Sequence, residues 1–358
     1  MTPPVLVTAG SMCSGYGGLD LAVSAVLGTR LLWLADNDAD AARVLAHRFP
    51  DVPNLADLTR VDWSAVPAPD VLAIGFPCQP FSAAGHRRGI QDERWLFDDI
   101  ADAVGRMGPR PRLLVLENVP GLLTVNGGHA MARVVSRLAA LGYVGRYRTV
   151  RACDVGAAHQ RARVFIGAWL PEPAHAPSAG LEERRQGPPA PGADAAADAA
   201  HLRHQRSRQT LAGRVGPAHS SQPAATDPES HGRQQRRTEP TRRQGRTQPH
   251  IGHRTSGAVE WGPYTAAIRR WERITGRPAP EPTEPAPRGG RRLAPAFSEW
   301  LMGLPAGWVT AVPDISRNGQ LRLLGNGVLP DQAIAALHAL IPSHLLPSRL
   351  TVPEGLAS

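Results

Sequence analysis

Lysine is absent from this 358-residue chain, in which all 40 Lys and Arg positions are Arg. Cysteine is scarce: Cys13, Cys78 and Cys153 are too few for a disulfide-stabilised scaffold. No apolar run approaches the ~20 residues that span a bilayer, and the first residues lack the pattern of a signal peptide. We therefore expect a reduced, cytoplasmic protein without a membrane anchor.

Aromatic residues make up only 5% of the chain, and none lies between Trp169 and Trp261. Within this stretch, residues 201–255 hold eleven Arg against three acidic residues, which accounts for most of the net charge of +9. Such a composition buries little apolar surface, so we expect 171–255 to be a disordered, Arg-rich insert. The basic charge hints at an anionic partner such as nucleic acid, although coding bias is the simpler explanation of the missing Lys.

Residues 5–169, in contrast, alternate short apolar runs with amphipathic stretches. We predict strands at 5–9, 31–36, 70–76, 113–119 and 164–169. We predict helices at 19–27, 39–48, 95–106 and 129–141, and a last one near 331–341. This alternation predicts an α/β fold with a mostly parallel sheet, in which ligands bind beyond the carboxyl ends of the strands.

A glycine-rich turn, Cys13-Ser14-Gly15-Tyr16-Gly17-Gly18, follows the first predicted strand. Glycines at such a turn let a ligand approach the backbone closely. The second strand ends in Asp36, whose carboxylate would suit the hydroxyls of a ribose; the alternative is that Asp36 caps the following helix. Because no phosphate-binding Gly-Lys-Ser/Thr loop is present, the pattern favours an adenosine-containing cofactor that needs no phosphate loop.

A second turn, Gly75-Phe76-Pro77-Cys78-Gln79-Pro80-Phe81-Ser82, follows the third strand. Its prolines stiffen the chain and hold Cys78 at the carboxyl edge of the sheet, where a thiol beside a cofactor pocket is a candidate nucleophile. A buried, inert cysteine is the alternative. Cys13 and Cys153 have no comparable setting, and we interpret both as packing residues.

The fourth strand ends in Glu117-Asn118-Val119. A partly buried Glu117 with a raised pKa would be able to donate a proton to a ring nitrogen. Arg161 and Arg163 precede the last strand at an i, i+2 spacing, which directs two side chains to the same side of an extended segment. They would bind phosphate or fix a substrate carbonyl, and a solvated surface pair is the alternative.

Taken in order, these motifs resemble those of DNA (cytosine-5)-methyltransferases. The resemblance covers about 1–170 and 291–341 and rests on Ser14–Gly18, Gly75–Gln79, Glu117–Val119, Gln160–Arg163 and Gly325–Val328. It implies a Rossmann-like, S-adenosylmethionine-dependent methyltransferase that methylates C5 of cytosine in a specific duplex DNA sequence. Cys78 would attack C6 of a flipped-out base, Glu117 would act at N3, and Arg163, with Arg161 near the backbone, would hold the base carbonyl.

The resemblance also implies the binding residues, and it requires no metal. S-adenosylmethionine would be bound by Ser14, Gly15, Tyr16, Gly17, Gly18, Asp36, Asn37, Asp57, Gly75, Pro77, Asn326 and Val328. Duplex DNA would be contacted by Gln79, Ser82, His86, Arg87 and Arg88, within a loop at 80–99 that closes behind the flipped base. Three positions depart from the family pattern: Cys13 replaces a usual Phe, Asn37 a common aromatic residue and Gly327 a common Ser.

We expect four segments along the chain. They are a catalytic and cofactor-binding domain (1–170), the disordered insert (171–255), a small target-recognition region (256–315) and a C-terminal segment that returns to the catalytic domain (316–358).

Three alternatives remain: a tRNA cytosine-5 methyltransferase of the same family, a catalytically inactive DNA-binding relative and a plain Arg-rich nucleic-acid binder. The presence of Cys78, Glu117 and Arg163 argues against an inactive protein. The composition favours a bacterial or phage-encoded monomer, and the sequence leaves open whether a cognate restriction endonuclease is its partner.

Overall fold

A six-stranded sheet lies at the centre of the computed structural model, which describes residues 7–77, 95–171, 253–255, 258–287 and 289–346. Its strands are β1 (Thr8–Met12), β2 (Arg30–Ala35), β3 (Val71–Ile74), β4 (Leu113–Asn118), β5 (Val144–Arg151) and β6 (Ala162–Trp169). They lie in the order β2-β1-β3-β4-β6-β5. The first four are joined by parallel ladders, whereas β6 pairs antiparallel with both β4 and β5. The prediction of an α/β fold with a mostly parallel sheet is confirmed.

The described residues form nine α-helices, and those that share hydrophobic clusters with the strands cover both faces of this sheet. The nine are α1 (Gly18–Leu27), α2 (Ala39–Arg48), α3 (Phe97–Arg106), α4 (Gly121–Thr124), α5 (His129–Ala140), α6 (Thr265–Thr275), α7 (Pro295–Leu301), α8 (Arg317–Asn326) and α9 (Pro330–Leu340). Side chains of a strand point alternately to its two faces, and β4 follows this rule. Leu114 and Leu116 pack with α3 and α5, whereas Leu113 and Val115 pack with α1 and α9. In the described part of the chain, no helix is long and apolar enough to cross a membrane.

The region after residue 252 adds two small hairpins to α6 and α7. They are formed by β7 (His253–Thr255) with β8 (Ala258–Glu260) and by β9 (Thr283–Pro285) with β10 (Arg291–Leu293). Its core is aromatic: Phe297 stacks between Trp261 and Trp300 at ring-centroid distances of 5.6 and 5.7 Å. The same hydrophobic cluster includes Tyr16 and the buried side of α2. The small region therefore packs directly against the first α/β segments.

Most predicted elements agree with the structure to within two residues at each end. The first strand is the exception, because it runs through Thr8–Met12 instead of 5–9. Gly10 permits this register, since a Cβ there would lie 2.5 Å from the Trp33 ring. Strand β5 was not predicted, because its exposed, Arg-containing sequence has no apolar run. Of the predicted Arg-rich insert at 171–255, the structure describes strand β7 at His253–Thr255, and the expectation for 172–252 lies outside the described residues.

Candidate active site

A cavity of about 370 Å³ opens beyond the carboxyl ends of β1, β3 and β4. This is the place where ligands bind in open α/β sheets. Most of the site residues predicted from the sequence line it: Ser14, Gly15, Asp36, Asn37, Asp57, Gly75, Pro77, Glu117, Arg163, Asn326 and Val328. Four predicted residues, Tyr16, Gly17, Gly18 and Arg161, are not part of the lining. The predictions for Cys78, Gln79, Ser82, His86, Arg87 and Arg88 fall outside the described residues.

Asp36 connects the glycine turn to the end of β2. One carboxylate oxygen accepts a hydrogen bond from the Gly15 amide at 2.8 Å, and the other accepts one from the Asp38 amide at 2.9 Å. Burial raises the pKa of Asp36, and these two bonds oppose the rise. Each oxygen still has a second acceptor position. Asp36 therefore fixes the turn and remains able to accept hydrogen bonds from a ligand.

The cap of α2 is Asp38, so the alternative that Asp36 caps this helix is wrong. The Asp38 carboxylate accepts from the amides of Asp40 and Ala41, both at 3.0 Å. It also forms a bidentate ion pair with Arg322, whose two terminal nitrogens lie 2.5 and 3.0 Å from the two carboxylate oxygens. This hydrogen bonding to Arg322 lowers the pKa of Asp38. Arg322 lies on α8 and lines the cavity, so the ion pair joins two walls that are far apart in sequence.

Glu117 and Arg163 form a buried ion pair on the cavity wall. The Arg163 Nε and Glu117 Oε1 atoms are 2.9 Å apart, with only 13% and 8% of the two side chains exposed. Burial raises the pKa of Glu117, while the guanidinium groups of Arg163 and Arg161 oppose this rise. A carboxyl group in this environment holds a proton more readily than one in water. The geometry therefore brings together a candidate proton donor and the cation that orients it.

Arg161 makes different contacts from Arg163, although both guanidinium groups act on the pKa of Glu117. The spacing rule assumes an extended backbone, but Arg161 precedes β6 with a left-handed φ of 29°. Its guanidinium donates to the carbonyl oxygens of Gly325 and Gly327 at 2.9 and 2.5 Å. Arg161 therefore holds the C-terminal wall of the cavity.

Tyr16 lies behind the cavity wall, fully buried, instead of facing a ligand. Its hydroxyl donates to the Val328 carbonyl at 2.7 Å. Its ring lies between two glycines, because a Cβ on Gly18 or Gly327 would come within 2.6 or 1.9 Å of ring carbons. Tyr16 therefore attaches the glycine turn to the C-terminal wall, and Gly18 serves this packing.

Two short connections complete the wall at Pro77 and at Asp57. The buried Asn118 side chain donates to the Phe76 carbonyl at 3.1 Å, which fixes the chain immediately before Pro77. Asp57 begins a short turn at Leu58–Arg60, where the hydroxyl and amide of Thr59 donate to its carboxylate and lower its pKa. Asp57 thus lines the cavity with its carboxylate already engaged.

Cys13 and Arg322 are among the wall residues that sequence reasoning did not assign to the site. Cys13, interpreted as a packing residue, lines the cavity with a left-handed φ of 55°, and burial raises the pKa of its thiol. Its position inside the glycine turn was a usable signal. Arg322 gave no comparable signal, because its place on the wall depends on α8 returning to the first half of the chain.

The whole described fold has counterparts among known proteins. The chain matches the model of the family described as C-5 cytosine-specific DNA methylase over residues 7–341. Among solved structures, the Entamoeba histolytica methyltransferase EhMeth superimposes with a TM-score of 0.52, covering 93% of this chain and 97% of that chain. At 14% sequence identity, this similarity concerns the fold alone.

Two curated relatives are similar in sequence over part of their length. Type II methyltransferase M.DsaV of Dactylococcopsis salina is 32% identical over 154 residues, which is 43% of each chain. Type II methyltransferase M.BsuFI of Bacillus subtilis is 31% identical over 160 residues, or 44% of this chain and 38% of the relative. The matched part thus spans about two fifths of the length of these relatives.

Proposed function

Because the chain belongs to the C-5 cytosine-specific DNA methylase family, we propose that it transfers a methyl group from S-adenosylmethionine to C5 of cytosine in duplex DNA. The observation that carries this proposal is that the candidate catalytic residues and the candidate cofactor-binding residues line the same cavity. Its wall holds the buried Glu117–Arg163 ion pair, the glycine turn at Ser14 and Gly15, and Asn326 from the C-terminal part of the chain. One cavity thus holds a candidate proton donor next to a candidate cofactor site.

The cavity wall fits S-adenosylmethionine in its polar groups. The Ser14 hydroxyl is buried and has no hydrogen-bond partner among the described residues. Gly15 lies beside open space, because a Cβ there would meet no atom within 4 Å. Asp36 and Asp57 add carboxylates to the wall, where Asp36 would accept from the ribose hydroxyls and Asp57 from the adenine amino group. The residues that would hold the cofactor are Ser14, Gly15, Asp36, Asn37, Asp57, Gly75, Pro77, Asn326 and Val328.

The catalytic steps follow from the chemistry of the side chains. Cys78, as the thiolate, forms a covalent bond to C6 of a cytosine that has left the duplex. Glu117 donates a proton or hydrogen bond to N3, so that the negative charge that develops on the ring is neutralised and C5 becomes nucleophilic. Bound S-adenosylmethionine supplies the electrophilic methyl group. Loss of the C5 proton to a base then breaks the Cys78–C6 bond and restores the aromatic ring.

Arg163 has two functions in this scheme. Its ion pair fixes the orientation of Glu117, and its guanidinium supplies donors for the carbonyl oxygen of the base. Arg161 supports the C-terminal wall through Gly325 and Gly327, so we assign it to the shape of the cofactor site and not to the base.

Labelled methyl transfer tests the proposal. The protein is incubated with methyl-labelled S-adenosylmethionine and either duplex DNA or tRNA. We expect label in 5-methylcytosine of the duplex DNA. Label that enters only tRNA would overturn the choice of DNA and favour the tRNA methyltransferase, and binding of DNA without any transfer would favour the inactive relative.

The nucleophile is tested by Cys78→Ser, with Cys153→Ser as a matched control. Cys153 contacts Asp154 and Gln160 in a surface turn, away from the cavity. We expect Cys78→Ser to abolish transfer while S-adenosylhomocysteine still binds, and Cys153→Ser to keep the activity. Turnover by Cys78→Ser would remove this residue from its assigned function.

The DNA contacts assigned to Gln79, Ser82, His86, Arg87 and Arg88 belong to the same proposal, as does a cognate restriction endonuclease with the same target sequence. Bisulfite sequencing of DNA from a host that expresses the protein identifies that target. If a nuclease partner exists, DNA that carries the modification resists cleavage by it. A nuclease that cuts modified and unmodified DNA at the same rate would exclude the partnership.

A further inference from the structure

Trp308, in the loop after α7, contacts the glycine turn from the side opposite to the cavity. Its indole Nε1 donates to the Tyr16 carbonyl at 2.9 Å. Tyr16 is followed by Gly17, whose amide donates to Ser14 at 2.9 Å and closes the turn. Trp308 does not line the cavity itself. Its hydrogen bond therefore reaches the proposed cofactor site only through the backbone of this turn.

The indole is held firmly enough to fix the turn. The Arg48 Nε donates to the Trp308 carbonyl at 2.8 Å, and the Arg48 guanidinium lies 5.0 Å from the centre of the Trp308 ring. Phe49 contacts the ring edge-on at a centroid distance of 6.1 Å. Both residues come from the end of α2. Trp308 thus lies between the small region and the α/β part, with its polar atom directed at Tyr16.

The loop that carries Trp308 is itself organised by one buried carboxylate. Glu299 on α7 accepts hydrogen bonds from the amides of Gly307, Val309 and Thr310, at 2.7, 2.6 and 2.9 Å, and from the Thr310 hydroxyl at 3.0 Å. It is only 2% exposed. A buried carboxylate with four donors is fully satisfied and rigid. Because Glu299 binds the amides of Gly307 and Val309, it fixes the backbone on both sides of Trp308.

We infer that Trp308 is a positioning residue for the cofactor site, through which the small region holds the Ser14–Gly17 turn in its binding geometry. The inference rests on the proposed function, since the ligand of the turn is taken to be S-adenosylmethionine. Tyr16 passes the constraint on in two directions. Its carbonyl accepts from Trp308, and its hydroxyl donates to Val328 on the C-terminal wall.

The experiment compares Trp308→Phe with Trp271→Phe. Trp308→Phe keeps an aromatic ring, removes the indole donor and shortens the ring system that packs with Arg48 and Phe49. Trp271→Phe removes an indole hydrogen bond of the same length, 2.9 Å to the Trp300 carbonyl, within the core of the small region. The two variants therefore lose similar interactions, but only Trp308→Phe loses one that reaches the glycine turn.

We expect Trp308→Phe to raise the KM for S-adenosylmethionine and the Kd for S-adenosylhomocysteine by about 2- to 10-fold, the range expected for one neutral hydrogen bond. The kcat at saturating cofactor should stay unchanged, and Trp271→Phe should leave KM and Kd at the wild-type values. Equal KM values for the two variants, or a fall in kcat alone for Trp308→Phe, would overturn the inference.

A second variant keeps the test decisive if Trp308→Phe does not fold. Tyr16→Phe removes the hydroxyl bond to Val328 and keeps the ring in place. It should weaken S-adenosylhomocysteine binding to a similar extent, and a wild-type Kd would count against the constraint that passes through Tyr16. If the wild-type protein itself does not bind S-adenosylhomocysteine, the proposed function fails, and this result is separate from any difference between variants.

Discussion

Gly327→Ala tests the close contact between Tyr16 and the C-terminal wall. The backbone of Gly327 has φ −75° and ψ −176°, an extended conformation that alanine adopts without strain. The added Cβ, however, would lie 1.9, 2.4 and 2.6 Å from three carbons of the Tyr16 ring. Because these are ring atoms of a fully buried side chain, either the ring or the wall must move.

The size of the effect follows from the contacts of that ring. Overpacking a well-packed site typically costs about 1–3 kcal/mol. Tyr16 is held by Val328 at its hydroxyl and by Trp308 at its carbonyl, so we expect the upper part of this range, about 2–3 kcal/mol. Gly325→Ala is the matched control. It lies two residues earlier, in α8, and its added Cβ would meet no atom within 4 Å, so it should stabilise the protein by about 0.5–1 kcal/mol.

Urea denaturation followed by tryptophan fluorescence measures both variants. Gly327→Ala should unfold at a clearly lower urea concentration than the wild type, and Gly325→Ala at the same or a higher one. In a double-mutant cycle, Tyr16→Ala should remove most of the cost of Gly327→Ala, because it vacates the space that the methyl group needs. Equal midpoints for the two alanine variants, or additive effects in the cycle, would refute the steric reasoning.

Two further predictions concern the walls of the cavity, and a third concerns the buried Asp20. Glu117→Gln should slow methyl transfer in single-turnover experiments about 10²- to 10⁴-fold, the usual contribution of a general acid, while S-adenosylhomocysteine binding is retained. A loss smaller than 10-fold would remove the proton donor from the mechanism. Arg322→Met breaks the partly exposed ion pairs with Asp38 and Asp40. It should raise the KM for S-adenosylmethionine at a stability cost below about 1 kcal/mol. Arg317→Met, on the same helix, should leave the KM unchanged. Burial raises the pKa of Asp20 to about 7. The native state therefore binds more protons than the unfolded chain between the unfolded pKa near 3.8 and this value, so stability should fall as the pH rises through this range. Asp20→Asn should flatten this fall in urea titrations from pH 4 to pH 8, and an unchanged slope would contradict the prediction.

The local patterns of the sequence predicted the sheet, most helices and the placement of most site residues at the carboxyl edge. Where these predictions were wrong, a longer-range contact decided the conformation. Strand β5 is an edge strand whose partner β6 supplies its ladder, so its own sequence needs no apolar run. Arg161 leaves the extended backbone that its spacing assumed, and its hydrogen bonds go to Gly325 and Gly327, far along the chain.

Side-chain direction at the glycine turn was also beyond the reach of the sequence. Tyr16 stands among residues that line the cavity but is itself fully buried, because its ring packs in the aromatic cluster of the small region and its hydroxyl donates to Val328. Arg322 entered the site for the same kind of reason. Which helix packs against which turn is a property of the folded molecule, and short motifs do not contain it.

The pairing of α1 with α9 has a consequence for the way the protein is made. Leu19, Val23, Leu337 and Leu340 share one hydrophobic cluster, and Tyr16 and Val328 form a hydrogen bond across 312 residues. During synthesis, one apolar face of α1 has no partner until α9 has left the ribosome. The closure of so long a loop is unfavourable in entropy. The nascent chain therefore depends on α9 to complete this cluster.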